Sequence, residues 1–214
     1  MKLYGYWRST SSWRVRIALA YKKIEHEYVP VQLLRDEQEI AAFVEMNPMR
    51  QIPVLELEEA GTTRHLAQSM AILEYLEERF PAPPLLPAER LARARVRELA
   101  EIVNSGIQPF QNNAVLKRVS SIAKGADEAW ARHFIVRGLG ALETRAEQTS
   151  AAYLAGDVVT LADVLLIPQL FNARRFGVDV APFPTLLRVE AECETLEAFQ
   201  RAHARAQPDA EKST

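Results

Sequence analysis

Between Phe80 and Pro87 the chain reads FPAPPLLP, and its character changes there. Four prolines in this stretch disfavour a helix and leave few N–H groups for a sheet, so it is expected to be a stiff, extended linker. Before it, short β-rich runs alternate with amphipathic ones. After it, every periodic run has helical spacing. The pattern divides the chain into an α/β domain over residues 1–80, a linker over 81–87, an all-α domain over 88–209 and a polar tail over 210–214. A length of 214 residues is enough for two small domains with a full core.

The first domain opens with a strand over Lys2 to Tyr6 and a helix from Trp13, whose apolar residues Trp13, Val15, Ile17, Ala18, Leu19 and Tyr21 run without a breaker. Between them lie Ser9, Thr10, Ser11 and Ser12. Hydroxyls at such a turn satisfy the first helical N–H groups, which have no partner inside the helix. The same end carries partial positive charge and can stabilise an anion, a thiolate included. The plain alternative is that they are caps and nothing more. Arg8 stands at the mouth of this turn.

A second strand is expected over His26 to Val31, then a short helix from Asp36 to Glu45 with Ile40, Phe43 and Val44 on one face, stopped by Asn47-Pro48. QIPVLEL (51–57) reads as a strand headed by Pro53, a candidate for a cis bond. Gly61 marks a turn, and 63–66 completes a hairpin. Gln68-Ser69 then precede a helix with Ile72, Leu73, Leu76 and Phe80 inward, Ser69 being its expected N-cap. The element order is β-α-β-α-β-β-α.

In the second domain a helix over Ala88 to Asn104 has Leu91, Val96, Leu99, Ala100 and Val103 as its stripe. Pro109 interrupts the helical pattern after Ile107-Gln108. Asp127 to Gln148 forms another helix with Trp130, Phe134, Leu139 and Leu142 inward, and Gly138 and Gly140 suggest close packing. Thr160 and Asp163 have the spacing of a capping box, with Val159 and Val164 placed for a hydrophobic staple. The following helix is apolar nearly all round and is expected at the domain's centre. A last helix runs from about Pro184 to Ala204, and the polar residues from Gln207 on are expected to fray.

Composition excludes several functions. The 26 basic and 28 acidic residues give no bulk charge that would favour nucleic acid or a membrane. The single cysteine, Cys193, allows no internal disulfide or Cys-rich metal site, and it is read as packing. His26, His65, His133 and His203 show no metal spacing, so no metal is expected. With no signal-like N-terminus and no long apolar run, a soluble cytoplasmic protein is expected.

Taken together, WRSTSSWRVRIAL (7–19), NPMRQIPVL (47–55), QSMAILEYLEE (68–78), GIQPFQN (106–112), GDVVTLADVLLIPQ (156–169), NARRFGVDVAPFPT (172–185) and LEAFQRAHARAQPD (196–209) resemble the glutathione S-transferase superfamily, and within it the zeta class of maleylacetoacetate and maleylpyruvate isomerases. The resemblance implies an N-terminal thioredoxin-like domain and an all-helical second domain, a homodimer, and glutathione as cofactor. It implies that Ser9, Thr10 and Ser11 surround the glutathione sulfur, and that Ile52, beside Pro53, offers backbone hydrogen bonds. Gln68 and Ser69 would take the γ-glutamyl carboxylate, Gln38 would face the far end of the tripeptide, and Gln108 and Asn112 would be contributed by the helical domain. Ser11 stands where the zeta class has a cysteine, which leaves open which isomerase substrate is native.

The implied reaction is cis–trans isomerisation of an alkene dicarboxylate. A thiolate adds to the conjugated double bond, rotation follows, and the thiolate leaves. Hydroxyls and a helix N-terminus favour the thiolate, and arginine forks match the carboxylates, with Arg8 and Arg175 as candidates. Arg174 is the weaker candidate of the adjacent pair, and Arg14 and Arg16 are read as structural. Tyr4 and Tyr6 are read as core or cleft lining rather than catalytic. Two rival readings stay open: a general glutathione transferase or peroxidase acting on electrophiles, and a non-catalytic interaction module.

Overall fold

The structure, a computed structural model, describes residues 1–210, so the expected tail lies outside the described residues from 211 on. The chain divides into two compact units, one formed by Met1–Pro84 with the described residues from Leu196 onward, the other by Leu85–Thr195. The sequence pattern places the chain up to residue 209 in the helical domain. The last helix instead packs on the first unit, with Phe199, Ala202 and Ala204 buried. Helical periodicity is the same whichever unit a helix covers, so the pattern held no sign of this.

In the first unit, strand β1 (Lys2–Gly5) pairs parallel with β2 (Glu27–Pro30) and antiparallel with β3 (Val54–Glu59), and β3 pairs antiparallel with β4 (Thr62–Ala67), giving the order β2-β1-β3-β4. Helices α1 (Thr10–Tyr21) and α3 (Ser69–Arg79) pack on one another, and Leu3, Ile17, Leu19, Leu55, Ile72, Leu73 and Leu76 are buried. The hairpin turns at Ala60 and Gly61, both at positive φ, as a two-residue connection requires. The Ile52–Pro53 bond is cis, as is Ala82–Pro83.

The expected helix over 36–45 is broken up. Two 3-10 turns, Leu33–Arg35 and Glu37–Glu39, flank Asp36 at φ 53, and only α2 (Ala41–Met46) is α-helical. Asp36 in the left-handed region interrupts the helix, and the Glu37 carboxylate accepts from Gln32 N at 2.6 Å. Phe43 is buried against Val31 and Val54, while Ile40 is 59% exposed. At the end of α1, Lys22 forms a buried ion pair with Glu77 of α3 at 2.7 Å. Lys22 also donates to the carbonyls of Phe80 and Pro83, so it ties α1 to α3 and to the start of the proline-rich stretch.

The second unit contains α4 (Arg90–Asn104), α5 (Asn113–Ile122), α6 (Asp127–Thr149), α7 (Leu161–Arg175) and α8 (Pro184–Glu194). Every residue from Leu161 to Leu170 is buried, so α7 is its central helix. The capping box is formed: Asp163 accepts from Thr160 N (2.7 Å), Thr160 Oγ1 (2.9 Å) and Leu154 N (2.8 Å). Val159 and Val164 are both buried.

Two expected core residues are on the surface. Leu91 precedes Val96 by five positions, about 140° round the helix, and is off the stripe. Trp130 lies nine positions before Leu139, about half a turn away, while Ala131, Ile135, Leu139 and Leu142 form the buried face. Phe134 is half-buried, stacked on Phe110 at 3.9 Å. A Cβ on Gly138 would stand 2.2 Å from the Ile107 side chain, whereas one on Gly140 would meet nothing within 4 Å, so only the first glycine marks close packing. The expected final helix is two, α8 and α9 (Glu197–Ala202), which belong to different units.

Candidate active site

The sheet register of the first unit brings three chain segments to one edge. Tyr4 is opposite Val54, and Val54 is opposite Ala67, so these three form one row across β1, β3 and β4. Just beyond Tyr4 the chain continues through Gly5 into the turn at Ser9. Just before Val54 stand Ile52 and Pro53. Just after Ala67 stand Gln68 and Ser69. The segments carrying Ser9, Ile52, Pro53, Gln68 and Ser69, scattered over sixty residues, are thus neighbours at one end of the sheet because antiparallel pairing places a strand's start beside its partner's end.

Ser9 is the N-cap of α1, in extended conformation, and its Oγ accepts from Ser12 N at 3.2 Å. Thr10 is nearly buried, and Ser9 and Ser11 are half-exposed. The first turn of α1 contains no acidic side chain, so its partial positive charge is not offset locally. Arg8 lies over the rings of Tyr6 and Trp7, with its guanidinium carbon 6.0 and 5.5 Å from their centroids.

The N-terminus of α3 is the second candidate anion position. Gln68, not Ser69, occupies the N-cap, at φ 72 and ψ 115, and no side chain caps this end. Ser69 is the first helical residue, which corrects its expected role. Its N–H and those after it belong to the set a helix cannot satisfy itself. Arg14, fully buried on α1, donates to Ser69 Oγ at 3.3 Å. A carboxylate fits this donor set of helix N–H groups, a hydroxyl and a cation behind it. Gln38 lies on the Glu37–Glu39 turn and donates to Asp36 Oδ1 at 3.3 Å.

In the second unit, Gln108 opens the 3-10 turn Gln108–Gln111, and Asn112 caps α5, accepting from Ala114 N at 3.0 Å. Arg174 is held by both oxygens of Glu190, at 2.5 Å each. Arg175 is exposed, donates to Asn172 Oδ1 at 3.0 Å and lies over the Phe176 ring. Tyr4 donates to Glu56 at 2.9 Å, and Tyr6 is in the core. Among the described residues no group of three His, Cys, Asp or Glu could hold a metal, and no helix is long and apolar enough to cross a membrane.

Sequence reasoning treated Arg14 as structural and missed that it reaches a site hydroxyl. The available signal was the pair of charges at Arg14 and Arg16 in a helix otherwise apolar from Trp13 on, charges that must find partners when buried.

This arrangement defines a thioredoxin-like domain with two helix N-termini at one sheet edge, and residues 1–78 match the glutathione S-transferase N-terminal domain. The chain is 46% identical to the mouse maleylacetoacetate isomerase over 209 residues, 97% of this chain and 94% of that one. It is similar to the crystal structure of maleylacetoacetate isomerase from Anaeromyxobacter dehalogenans with bound GSH in the active site, with a TM-score of 0.92 and 56% identity, covering 98% of this chain and 97% of that one. It also resembles the holo structure of a maleylpyruvate isomerase described as a bacterial zeta-class glutathione S-transferase, with a TM-score of 0.92 and 42% identity over 99% and 100% of the two chains. The chain belongs to the zeta class of the glutathione S-transferases.

Proposed function

We propose that this protein is a glutathione-dependent cis–trans isomerase of maleylacetoacetate, or of the related maleylpyruvate, acting in the breakdown of aromatic amino acids and related compounds as a cytoplasmic homodimer. The observation that carries the reading is the pair of helix N-termini at one sheet edge, one bearing hydroxyls and the other an uncapped turn with a buried arginine behind it. A tripeptide with a thiol and a free α-carboxylate needs both.

Bound glutathione supplies a thiolate that adds reversibly to a conjugated alkene, making the former double bond free to rotate. The chain has no such nucleophile to offer: its one cysteine is buried, and burial pushes that thiol far up. Ser9, Thr10, Ser11 and the α1 N-terminus hold the negative sulfur, lowering the cost of losing its proton at neutral pH. Gln68, Ser69 and the α3 N-terminus hold the γ-glutamyl carboxylate, and the Ile52 backbone beside Pro53 aligns the cysteinyl part. Gln38, Gln108 and Asn112 complete the glutathione contacts in this reading. Arg8 and Arg175 serve the substrate carboxylates in this reading, whereas the Arg174 guanidinium is held by both oxygens of Glu190. Full-length likeness to enzymes of both names leaves two substrates, and Gln108 in GIQPFQN favours maleylacetoacetate.

The test is conversion of maleylacetoacetate to its trans isomer by the purified protein, with and without glutathione, beside a parallel run with maleylpyruvate. Rapid conversion that needs glutathione supports the reading, and the faster substrate ranks the two. Glutathione binding without conversion of either would make the protein a general transferase. No glutathione binding would leave an interaction module.

A further inference from the structure

Behind the loop that carries Arg8 and Ser9, the backbone of one residue, Trp7, is held at both its N–H and its carbonyl by charged side chains distant from each other in sequence. Trp7 N donates to Asp209 Oδ2 at 3.0 Å. Trp7 O accepts from Arg16 Nη2 at 2.9 Å. Arg16 Nη1 also reaches Tyr6 O at 3.3 Å, the carbonyl that takes Ser9 N at 3.0 Å, and its Nε donates to Ala202 O at 3.1 Å. Tyr28 of β2 donates to the same Asp209 oxygen at 3.3 Å, and its ring lies 5.9 Å from the Arg16 guanidinium carbon. Arg16 and Trp7 are both buried. All these groups lie in the first unit.

The loop between β1 and α1 is short, and Ser9 N to Tyr6 O is its own internal bond. The direction of the Trp7 backbone fixes where the next two residues, Arg8 and Ser9, stand. Asp209 and Arg16 fix that direction, one from each end, without touching a site hydroxyl themselves. Asp209 Oδ1 is buried with no hydrogen-bond partner, so the carboxylate contributes through the single oxygen it turns on Trp7 and Tyr28. A buried polar oxygen left unmatched is unfavourable by itself. A residue read from sequence as part of a frayed end is therefore a fixed part of the loop's support.

We propose that Asp209 is a positioning residue for the isomerisation: by holding the Trp7 N–H it sets the place of Ser9 against the glutathione sulfur. This rests on the reading that the Ser9 turn receives that sulfur. Arg16 shares the work but also anchors Ala202, so Asp209 is the cleaner residue to test.

The experiment compares the full-length protein with Asp209→Ala, Asp209→Asn and Asp209→Glu, each assayed well below its own melting temperature. Three quantities are read: the thiol pKa of bound glutathione from thiolate absorbance against pH, kcat and the KM for glutathione. In Asp209→Ala the bound thiol pKa rises and kcat falls about tenfold or more, since small displacements of a reacting group are costly, while the KM set largely at α3 changes less than about threefold. Asp209→Asn keeps an acceptor for Trp7 N and returns kcat to within about threefold of the parent. Asp209→Glu keeps the charge but displaces the oxygen by a methylene, so it falls with alanine; it carries the comparison even where the alanine chain folds poorly. A lowered melting temperature with thiol pKa and kcat unchanged would make Asp209 a structural anchor only and sink the proposal. So would an asparagine variant as impaired as alanine. A parent protein showing neither thiolate signal nor isomerisation fails the functional reading instead, before any variant is compared.

Discussion

Arg14 donates to Ser69 Oγ across 3.3 Å, with the arginine on α1 fully buried and the serine at the first turn of α3 nearly so. The contact joins the two helices whose N-termini form the candidate site. It also places a cation behind the position read as the γ-glutamyl carboxylate site, where little water screens it.

Ser69→Ala removes one donor to that carboxylate and a partner of Arg14. A hydrogen bond to a charged group contributes about 1.5–3 kcal/mol, so the affinity for glutathione is expected to fall about tenfold to a hundredfold. The kcat at saturating glutathione should change far less, because the carboxylate is remote from the reacting sulfur. Titration calorimetry and steady-state kinetics on the same preparation check this. A large loss of kcat with unchanged affinity would remove Ser69 from the binding role.

Gln68 holds φ 72 and ψ 115, outside the ordinary regions for a residue with a Cβ. Such conformations cost about 1–3 kcal/mol and occur where the surroundings impose them. Gln68→Gly should therefore raise the unfolding free energy by about 1 kcal/mol by relieving that strain, less the entropy glycine adds to the unfolded chain. It should weaken glutathione binding at the same time. Chemical denaturation and a binding titration test the two halves separately. A destabilised glycine variant would mean that the Gln68 side chain contributes more to the fold than its backbone costs.

Lys22 and Glu77 are paired at 2.7 Å with almost no exposure of either side chain. Removing one partner leaves the other charge buried alone, a change that costs about 3–5 kcal/mol. Glu77→Ala is expected to lose stability on that scale. Replacing both, as Lys22→Met with Glu77→Leu, should recover much of the loss, although Lys22 also donates to the carbonyls of Phe80 and Pro83. Urea unfolding of Lys22→Met, Glu77→Leu and the double variant gives the coupling. Additive losses would show that the pair itself contributes little.

The order of strands and helices in the first unit, the capping box at Thr160 and Asp163, and the central place of α7 were all legible, because each is set by local periodicity or by a short spacing rule. Ser9, Ile52, Pro53, Gln68 and Ser69 were named as candidates by resemblance, and what the fold adds is that sheet register makes the segments carrying them neighbours. The partners of α1 were not legible. Arg14 and Arg16 are two residues apart on one helix, yet one reaches residue 69 and the other residue 202. Charges that far from their partners obey no spacing rule, and burial alone decides which of them must be satisfied. The same holds for Asp209, which a polar neighbourhood disguised as a loose end.

His203 stands in the segment that packs on α1. Its ring meets Trp13 edge-on at 4.9 Å, and its Nδ1 accepts from Arg205 N at 3.1 Å. Burial first, then the charges of Arg205 and Arg16, hold its pKa below the usual 6.5, and burial does the same to His26. As pH falls through about 6.5 the unfolded chain takes up these protons before the native one does. The stability they contribute is therefore present above that pH and is lost as pH falls through their native values. The unfolding free energy should decline as pH falls below about 6.5, and His203→Asn, which keeps an acceptor for Arg205 N, should flatten part of that slope even if it lowers the curve as a whole. Denaturant unfolding at a series of pH values compares the slopes. Parallel curves for the two proteins would exclude His203 as a source of the acid sensitivity, and the contact with Trp13 would then tolerate a charged ring.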